Sequence, residues 1–363
     1  METIDSGIEK VSVYRPNNVA SAEVVEEAYD IDLSPYDIDE FRVSDPQENY
    51  MDLATRAVNG LIQDTDNEDF FGIFISSDVC GQAEASKLSS ILNEEHEVEF
   101  STDGSSMSDS RMLQEASSQH TARARPREYS IAVSSFDGNP RRIQGSAAIA
   151  YLIGDDPSIK LSKQGGIEGV HSDSNNDFEE NLASMKGAMD GFIEEATEFT
   201  YHGTDVKGHN SRLVHPDNID YALFNIGEVE KRELAAARGY GRVARQSGLD
   251  LGFEMDPSER DPEEYINNLL ESDQFQEFYE KAVEPVLELE RVTGTVSPGS
   301  LGLQRASILE NGGNDGVIMV GSLGLGGRNA EVHAEKIIDN PKYVENKDEL
   351  NLLNVNELQD LEY

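Results

Sequence analysis

The stretch that decides the fold is QGSAAIAYLIGDDPSI, Gln144–Ile159. Its centre, Ala147–Ile153, is a short unbroken apolar run, and such a run reads as a buried strand. Working outward, similar runs recur at Val11–Tyr14, Phe70–Ile75, Val98–Ser101, Tyr129–Val133, Tyr221–Ile226, Gly316–Val320 and Ala330–His333. Helical patterns lie between them. Tyr50–Ile62 carries Leu53, Ala57 and Leu61 at helical spacing. A longer pattern runs from Phe178 to Phe199, with Leu182, Met185, Met189, Phe192, Ala196 and Phe199 on one stripe. An apolar stripe of this kind is a core-packing face. Strands alternating with helices predict an α/β fold.

Composition bounds the function. The 363 residues hold 71 Asp and Glu against 29 Lys and Arg, a net charge of −42. Nucleic-acid binding needs a basic stripe to release counterions, and this balance supplies none. An anionic membrane surface is disfavoured for the same reason. One Cys excludes a disulfide framework and a cysteine-based zinc cluster. The start, METIDSGIEKV, has no basic segment followed by an apolar run, and no stretch approaches ~18 apolar residues. The expectation is a cytoplasmic protein. The 37% hydrophobic content sits in ordered segments, which argues against disorder. The acidic excess fits a solvated shell suited to multimolar salt, where the screening length falls to about 3 Å. PSERDPE, Pro257–Glu263, reads as a surface insertion or a helix start, and SDSNND, Ser172–Asp177, as a polar loop before the long helix. The segment after Asn340 reads as an acidic peripheral tail.

A weak internal repeat is present. MLQEASSQ, Met112–Gln119, precedes the strand YSIAV, and GLQRASIL, Gly302–Leu309, precedes GVIMV. Each reads as a buried helix running into a buried strand, as two duplicated halves would have it.

Several segments together carry a family resemblance. Gln144–Ile159 resembles the G-(A/S)-x-A-x-A-x-L strand of the thiolase superfamily. It is most similar to that of 3-hydroxy-3-methylglutaryl-CoA synthases and β-ketoacyl-ACP synthases III. FFGIFISSDVCGQAEAS resembles the strand and loop that carry a catalytic Glu in the synthases. NIDYALFNIGEVEKRELAAARG, Asn218–Gly239, resembles the D-x-x-x-F-H-x-P strand and its helix. TGTVSPGSLGLQRASILENGGNDGVIMVGSLGLGG resembles the G-N motif helix and the final glycine-rich strand. The resemblance covers about residues 5–335. It implies a thiolase-like fold of two duplicated α/β halves in five layers (α-β-α-β-α). The halves would be residues 1–170 and 171–340, with 341–363 as the tail. It also implies a homodimer, or a heteromer with a related thiolase-fold subunit. The implied chemistry is thioester condensation, with coenzyme A thioesters as substrate or ligand and no other cofactor or metal.

Carried over position by position, the resemblance reaches substituted residues. The nucleophilic Cys falls on Ser106, the His of F-H-x-P on Asn225, the Glu on Ser77 and the Asn of the G-N motif on Thr295. A serine alcohol needs an adjacent base to become a nucleophile, and an amide takes no proton near neutral pH. Asn225 could still donate a hydrogen bond. Asp78 would point to the other face if its strand continued. Two readings follow. One is a non-catalytic paralogue that serves as an acyl-CoA binder or partner subunit. The other is an active enzyme joining acetyl-CoA and acetoacetyl-CoA by a divergent mechanism.

Other residues could bear chemistry. Cys80 could be a relocated nucleophile or a small buried hydrophobe. His202, His209 and His215 share a loop context, where solvated histidines are commoner than a metal site. His120 and His333 show no partner in the sequence. GSLGLGG, Gly321–Gly327, lacks the helix of a dinucleotide fingerprint; it reads as a turn offering backbone N–H groups or as a plain hairpin. Arg141 and Arg142 could meet a CoA phosphate, though in an acidic protein a salt bridge is commoner.

Overall fold

A computed structural model describes residues 6–62, 69–76, 108–123, 128–161, 166–169, 188–189, 192–193, 196, 214–253, 262–295, 299–312, 315–323, 329–339, 342–345 and 349–361. In chain order the strands are β1 (Gly7–Tyr14), β2 (Asn18–Ser21), β3 (Glu40–Val43), β4 (Asp69–Ser76), β5 (Glu128–Phe136), β6 (Ala147–Gly154), β7 (Ile159–Leu161), β8 (Gly166–Gly169), β9 (Ile219–Phe224), β10 (Gly316–Leu323), β11 (Asn329–Ile337), β12 (Lys342–Glu345) and β13 (Asn351–Leu352). The α-helices are α1 (Ala22–Tyr29), α2 (Tyr50–Ile62), α3 (Ser108–Arg123), α4 (Val229–Ser247), α5 (Pro262–Leu270), α6 (Asp273–Phe278), α7 (Glu288–Arg291), α8 (Ser300–Glu310) and α9 (Val355–Asp360). Two compact units emerge. The first comprises Met1–Leu161, Leu287–Asn314 and Ile338–Tyr363; the second comprises Ser162–Val286 and Asp315–Ile337.

In the first unit the strands run β4-β5-β6-β1, with β7 and β12 also paired to β1. β4 and β5 are parallel, while β6 is antiparallel to both β5 and β1. Every residue of β6 is buried, and its two faces explain the unbroken apolar run. Ala148, Ala150 and Leu152 join one core cluster with Leu53, Ala57 and Leu61 of α2. On the other face, Ile149 and Tyr151 meet α8: a Cβ at Gly302 would lie 2.8 Å from the Tyr151 hydroxyl. A strand covered by helices on both sides loses the polar alternation of a half-exposed one.

The helix α2 is fixed at both ends by named groups. Asn49 Oδ1 accepts from the Met51 N–H at 2.9 Å, and the Asn49 N–H donates to Asp52 at 3.0 Å. These bonds satisfy donors at the helix start. At the other end, the buried Lys10 ammonium donates to the Leu61 carbonyl at 2.8 Å. A cation there also matches the negative end of the helix dipole.

The repeated helix-to-strand units are both present. Met112, Leu113 and Ala116 of α3 are buried ahead of β5, and α8 is buried from Ser300 to Leu309 ahead of β10. A carboxylate stands near the start of α8. Glu290, 4% exposed, accepts from Ser300 Oγ at 2.8 Å and Gln304 Nε2 at 2.7 Å. A smaller sheet, β13-β2-β3, has its own core of Ala20, Val25, Leu33, Ile38, Phe41, Val43 and Leu358. Residues beyond Asn340 therefore take part in structure: β12 pairs with β1, β13 pairs with β2, and Leu358 is buried.

The second unit holds β9 and β10 as a parallel pair, with β11 antiparallel to β10 and β8 antiparallel to β11. This repeats the β4-β5-β6 pattern of a parallel pair followed by an antiparallel strand. Tyr240 of α4 packs with Phe275 and Phe278 of α6, at ring-centroid distances of 5.8 and 5.1 Å. Of the long predicted stripe, Met189, Phe192 and Ala196 are helical and fully buried; its remaining members lie outside the described residues. So do the expected strand Val98–Ser101, the loop Ser172–Asp177 and most of Pro257–Glu263.

Candidate functional site

Two of the four family-equivalent positions are described. Ser77 and Ser106 lie outside the described residues, as do Asp78, Cys80, His202 and His209. Asn225 and Thr295 are each set by a distinct local structure, Asn225 in the second unit and Thr295 in the first.

Asn225 directly follows β9, at the end where the chain leaves the parallel pair. Its half-buried side chain precedes Ile226, whose carbonyl is held by a buried arginine. Arg232, 3% exposed on α4, donates from Nη1 to Ile226 O and from Nε to the Tyr279 hydroxyl, both at 3.3 Å. Burial raises the pKa of Tyr279, while Arg232 opposes the rise. Burial also raises Glu233; Arg232 counters it, and Glu230 and Glu284 add to it. The turn after β9 is thus built around a guanidinium. An amide at Asn225 can donate or accept a hydrogen bond, but it cannot move a proton near neutral pH.

Thr295 belongs to a tight backbone crossing. It forms an isolated parallel bridge with Gln144. Its hydroxyl donates to the Ile143 carbonyl, and its own carbonyl accepts from the Gly145 N–H at 3.1 Å. Ile143 has φ +62°, an uncommon conformation for a β-branched residue. Gly145 must be glycine, because a Cβ there would lie 1.6 Å from the Thr293 carbonyl oxygen. Ser146 N–H donates to Arg42 O at 2.8 Å, and Arg42 N–H to Thr293 O at 3.0 Å. The first residues of the fold-deciding stretch are therefore laced to Thr293–Thr295. The Thr295 hydroxyl serves this lacing.

The histidines hold partners that sequence reasoning missed. His120, 1% exposed on α3, has Nδ1 3.1 Å from Ser130 Oγ and Nε2 3.1 Å from Asp155 Oδ1. His333 and Glu335, both buried on β11, meet at 3.1 Å through Nε2 and Oε1. Their spacing of two residues on one strand face was the available signal. His215 Nδ1 accepts from the Asp217 N–H at 3.3 Å, capping the 3₁₀ turn Pro216–Asn218. Among the described residues, no three His, Cys, Asp or Glu side chains are grouped to hold a metal ion.

Arg141 departs from the salt-bridge expectation: its guanidinium lies over the Tyr29 ring, 4.9 Å from the centroid. Arg141 and Arg142 form a 3₁₀ turn capped by Asn139. Of the glycine segment, Gly321–Leu323 close β10, and Leu323 pairs with Ala330 of β11. The segment thus joins two adjacent antiparallel strands. Gly324, Leu325, Gly326 and Gly327 lie outside the described residues.

Comparison with solved structures gives the class. An MvaS protein in complex with 3-hydroxy-3-methylglutaryl coenzyme A superposes with a TM-score of 0.73 at 17% identity, over 98% of this chain and 91% of that one. The HMG synthase of the curacin biosynthetic pathway, solved with acetyl donor-ACP, gives 0.69 at 17% identity, over 98% and 88%. PksG, an HMG-CoA synthase from Bacillus subtilis, gives 0.65 at 15%, over 92% and 80%. The chain has the α/β thiolase-like fold of these proteins.

Sequence narrows the likeness further. A hydroxymethylglutaryl-CoA synthase from Haloferax volcanii is 27% identical over 223 residues, which is 53% of this chain and 48% of the relative. The match thus spans about half the length of that curated relative. No family model matches the chain. The chain is hydroxymethylglutaryl-CoA synthase-like in both sequence and structure. Among the described residues, no helix is long and apolar enough to cross a membrane.

Proposed function

We propose that this chain is a non-catalytic paralogue of the hydroxymethylglutaryl-CoA synthases, acting as an acyl-CoA binder or a partner subunit in the cytoplasm. The observation that carries the reading is the use made of Thr295. Its hydroxyl is spent on the Ile143 carbonyl, within a crossing that holds the fold together. Asn225 points the same way, since an amide that takes no proton near neutral pH stands where the resemblance puts the His that orients the second thioester. Ser106 and Ser77 stand where the resemblance puts a thiol and a carboxylate, and neither replaces that chemistry unaided. The fold would then be kept for binding while proton transfer is lost.

The partner subunit is a second copy or a related thiolase-fold chain. β4 ends its row of strands in the first unit, and Ile73, Phe74 and Ile75 on it are fully buried.

The alternative is an active synthase joining acetyl-CoA and acetoacetyl-CoA, which the sequence likeness to the Haloferax volcanii protein favours. Release of free CoA thiol from the two thioesters, measured at high salt, separates the readings. No release above background is expected; steady turnover to 3-hydroxy-3-methylglutaryl-CoA would overturn the proposal. Saturable binding of CoA without turnover would mark a binder, and its absence a partner subunit.

A further inference from the structure

The 3₁₀ turn Pro140–Arg142 carries two adjacent cations that this acidic chain leaves unused. Arg141 and Arg142 are both exposed, and neither guanidinium pairs with a carboxylate among the described residues. Other cations are taken up: Arg56 is held by Glu48 at 2.7 Å, Arg291 by Asp37 at 2.5 Å and Lys336 by Asp315 at 2.8 Å. With 71 acidic side chains against 29 basic ones, two neighbouring arginines without a carboxylate run against composition.

The pair is also held in place. Pro140 is buried, Asn139 Oδ1 accepts from the Arg141 N–H at 2.9 Å, and the Arg142 N–H donates to the Asn139 carbonyl at 2.8 Å. The Ile143 N–H donates to the Pro140 carbonyl at 2.9 Å, and the Thr295 hydroxyl holds the Ile143 carbonyl. The Arg141 guanidinium lies over the Tyr29 ring, whose hydroxyl donates to the Leu358 carbonyl at 3.2 Å. A guanidinium stacked by its face keeps its N–H donors in its own plane, free to meet a ligand at the edge. The turn therefore presents charge and donors on a backbone already fixed.

The ligand class follows from this chemistry. Guanidinium forks match paired phosphate oxygens and bind them bidentately. Two adjacent guanidiniums match a doubly charged group. A phosphate monoester is one above about pH 6, where its second proton leaves; each phosphoryl of a bridging pyrophosphate carries a single charge. In salt near 1 M the repulsion from the acidic surface is screened beyond about 3 Å, so direct contacts decide binding. We propose that the Arg141–Arg142 turn is a binding site for a phosphate monoester dianion or free phosphate. Under the acyl-CoA-binder reading, on which this choice of source rests, the group is the 3′-phosphate of coenzyme A.

Titration calorimetry of the whole protein in about 1 M KCl tests this, with coenzyme A, dephospho-CoA and inorganic phosphate as probes. Coenzyme A is expected to bind saturably, tighter by about tenfold or more than dephospho-CoA, which lacks only the 3′-phosphate. Arg142→Gln should abolish that preference and leave dephospho-CoA unchanged. Arg245→Gln, at an exposed cation in the last turn of α4, should preserve it. Saturable phosphate binding that Arg142→Gln removes, with neither coenzyme bound, would uphold the site and refute the acyl-CoA-binder reading. Equal affinity for the two coenzymes, with no phosphate binding, would overturn the site and leave that reading intact. Binding of none of the three would overturn both. The coenzyme comparison uses the unsubstituted protein, so it decides even if a variant folds poorly.

Discussion

Gly145→Ala is the sharpest perturbation of the crossing that holds Thr295. The new Cβ would stand 1.6 Å from the Thr293 oxygen and 2.7 Å from its carbon, both backbone atoms. Contact at van der Waals distance would require the two segments to part by well over an ångström. The bonds that resist are Gly145 N–H to Thr295 O at 3.1 Å, Ser146 N–H to Arg42 O at 2.8 Å and Arg42 N–H to Thr293 O at 3.0 Å. Losing two such bonds costs about 1 kcal/mol each, and burying their unmatched groups adds about 1–3 kcal/mol. The expected loss is therefore roughly 3–5 kcal/mol, among the larger effects of single substitutions. Urea unfolding in concentrated KCl, followed by far-UV circular dichroism, would measure it. A loss below about 1 kcal/mol would refute the reasoning, since such a crossing has no room for a methyl group.

Three further outcomes follow from the same physics. Ser300→Ala removes a bond to the buried Glu290 carboxylate and should cost about 1.5–3 kcal/mol in the same unfolding assay. Asp137→Asn should change the pH dependence of stability. The folded carboxyl binds its proton more tightly than the unfolded one, whose pKa is about 3.9. Stability is therefore lost as pH rises from about 4 through the higher folded value. The variant should lack this slope and be the more stable protein at neutral pH, as thermal melts across pH would record. Dialysis from multimolar KCl into dilute buffer should unfold the chain or dissociate its subunits. The net charge of −42 then repels itself without screening. Unchanged circular dichroism and unchanged mass by light scattering after desalting would count against that.

Much of the architecture was legible because burial on two faces leaves a plain trace. The apolar runs became β1, β4, β5, β6, β9, β10 and β11, within a few residues at their ends. Leu53, Ala57 and Leu61 face the core from α2 as their spacing predicts. The short strands were illegible for a physical reason. KYVE of β12, NVAS of β2 and NL of β13 carry no long apolar run, and their conformation comes from the strands they pair with. His120 was opaque likewise: Asp155 lies 35 residues away along the chain, so only the tertiary fold brings them together. Family resemblance pointed to Asn225 and Thr295, yet nothing in the sequence announced Arg232 behind the one or the Ile143 carbonyl beneath the other. Arg141 misled because charge composition predicts carboxylate partners, whereas its guanidinium lies over the aromatic face of Tyr29.

The central claim is that the fold persists without the acyl-transfer chemistry, and acetylation tests it most directly. The protein would be incubated with acetyl-CoA in concentrated KCl, quenched and measured as an intact mass, with peptide mapping of any adduct. The account predicts an unmodified chain. An acetyl group trapped on Ser106 or Cys80 would contradict it.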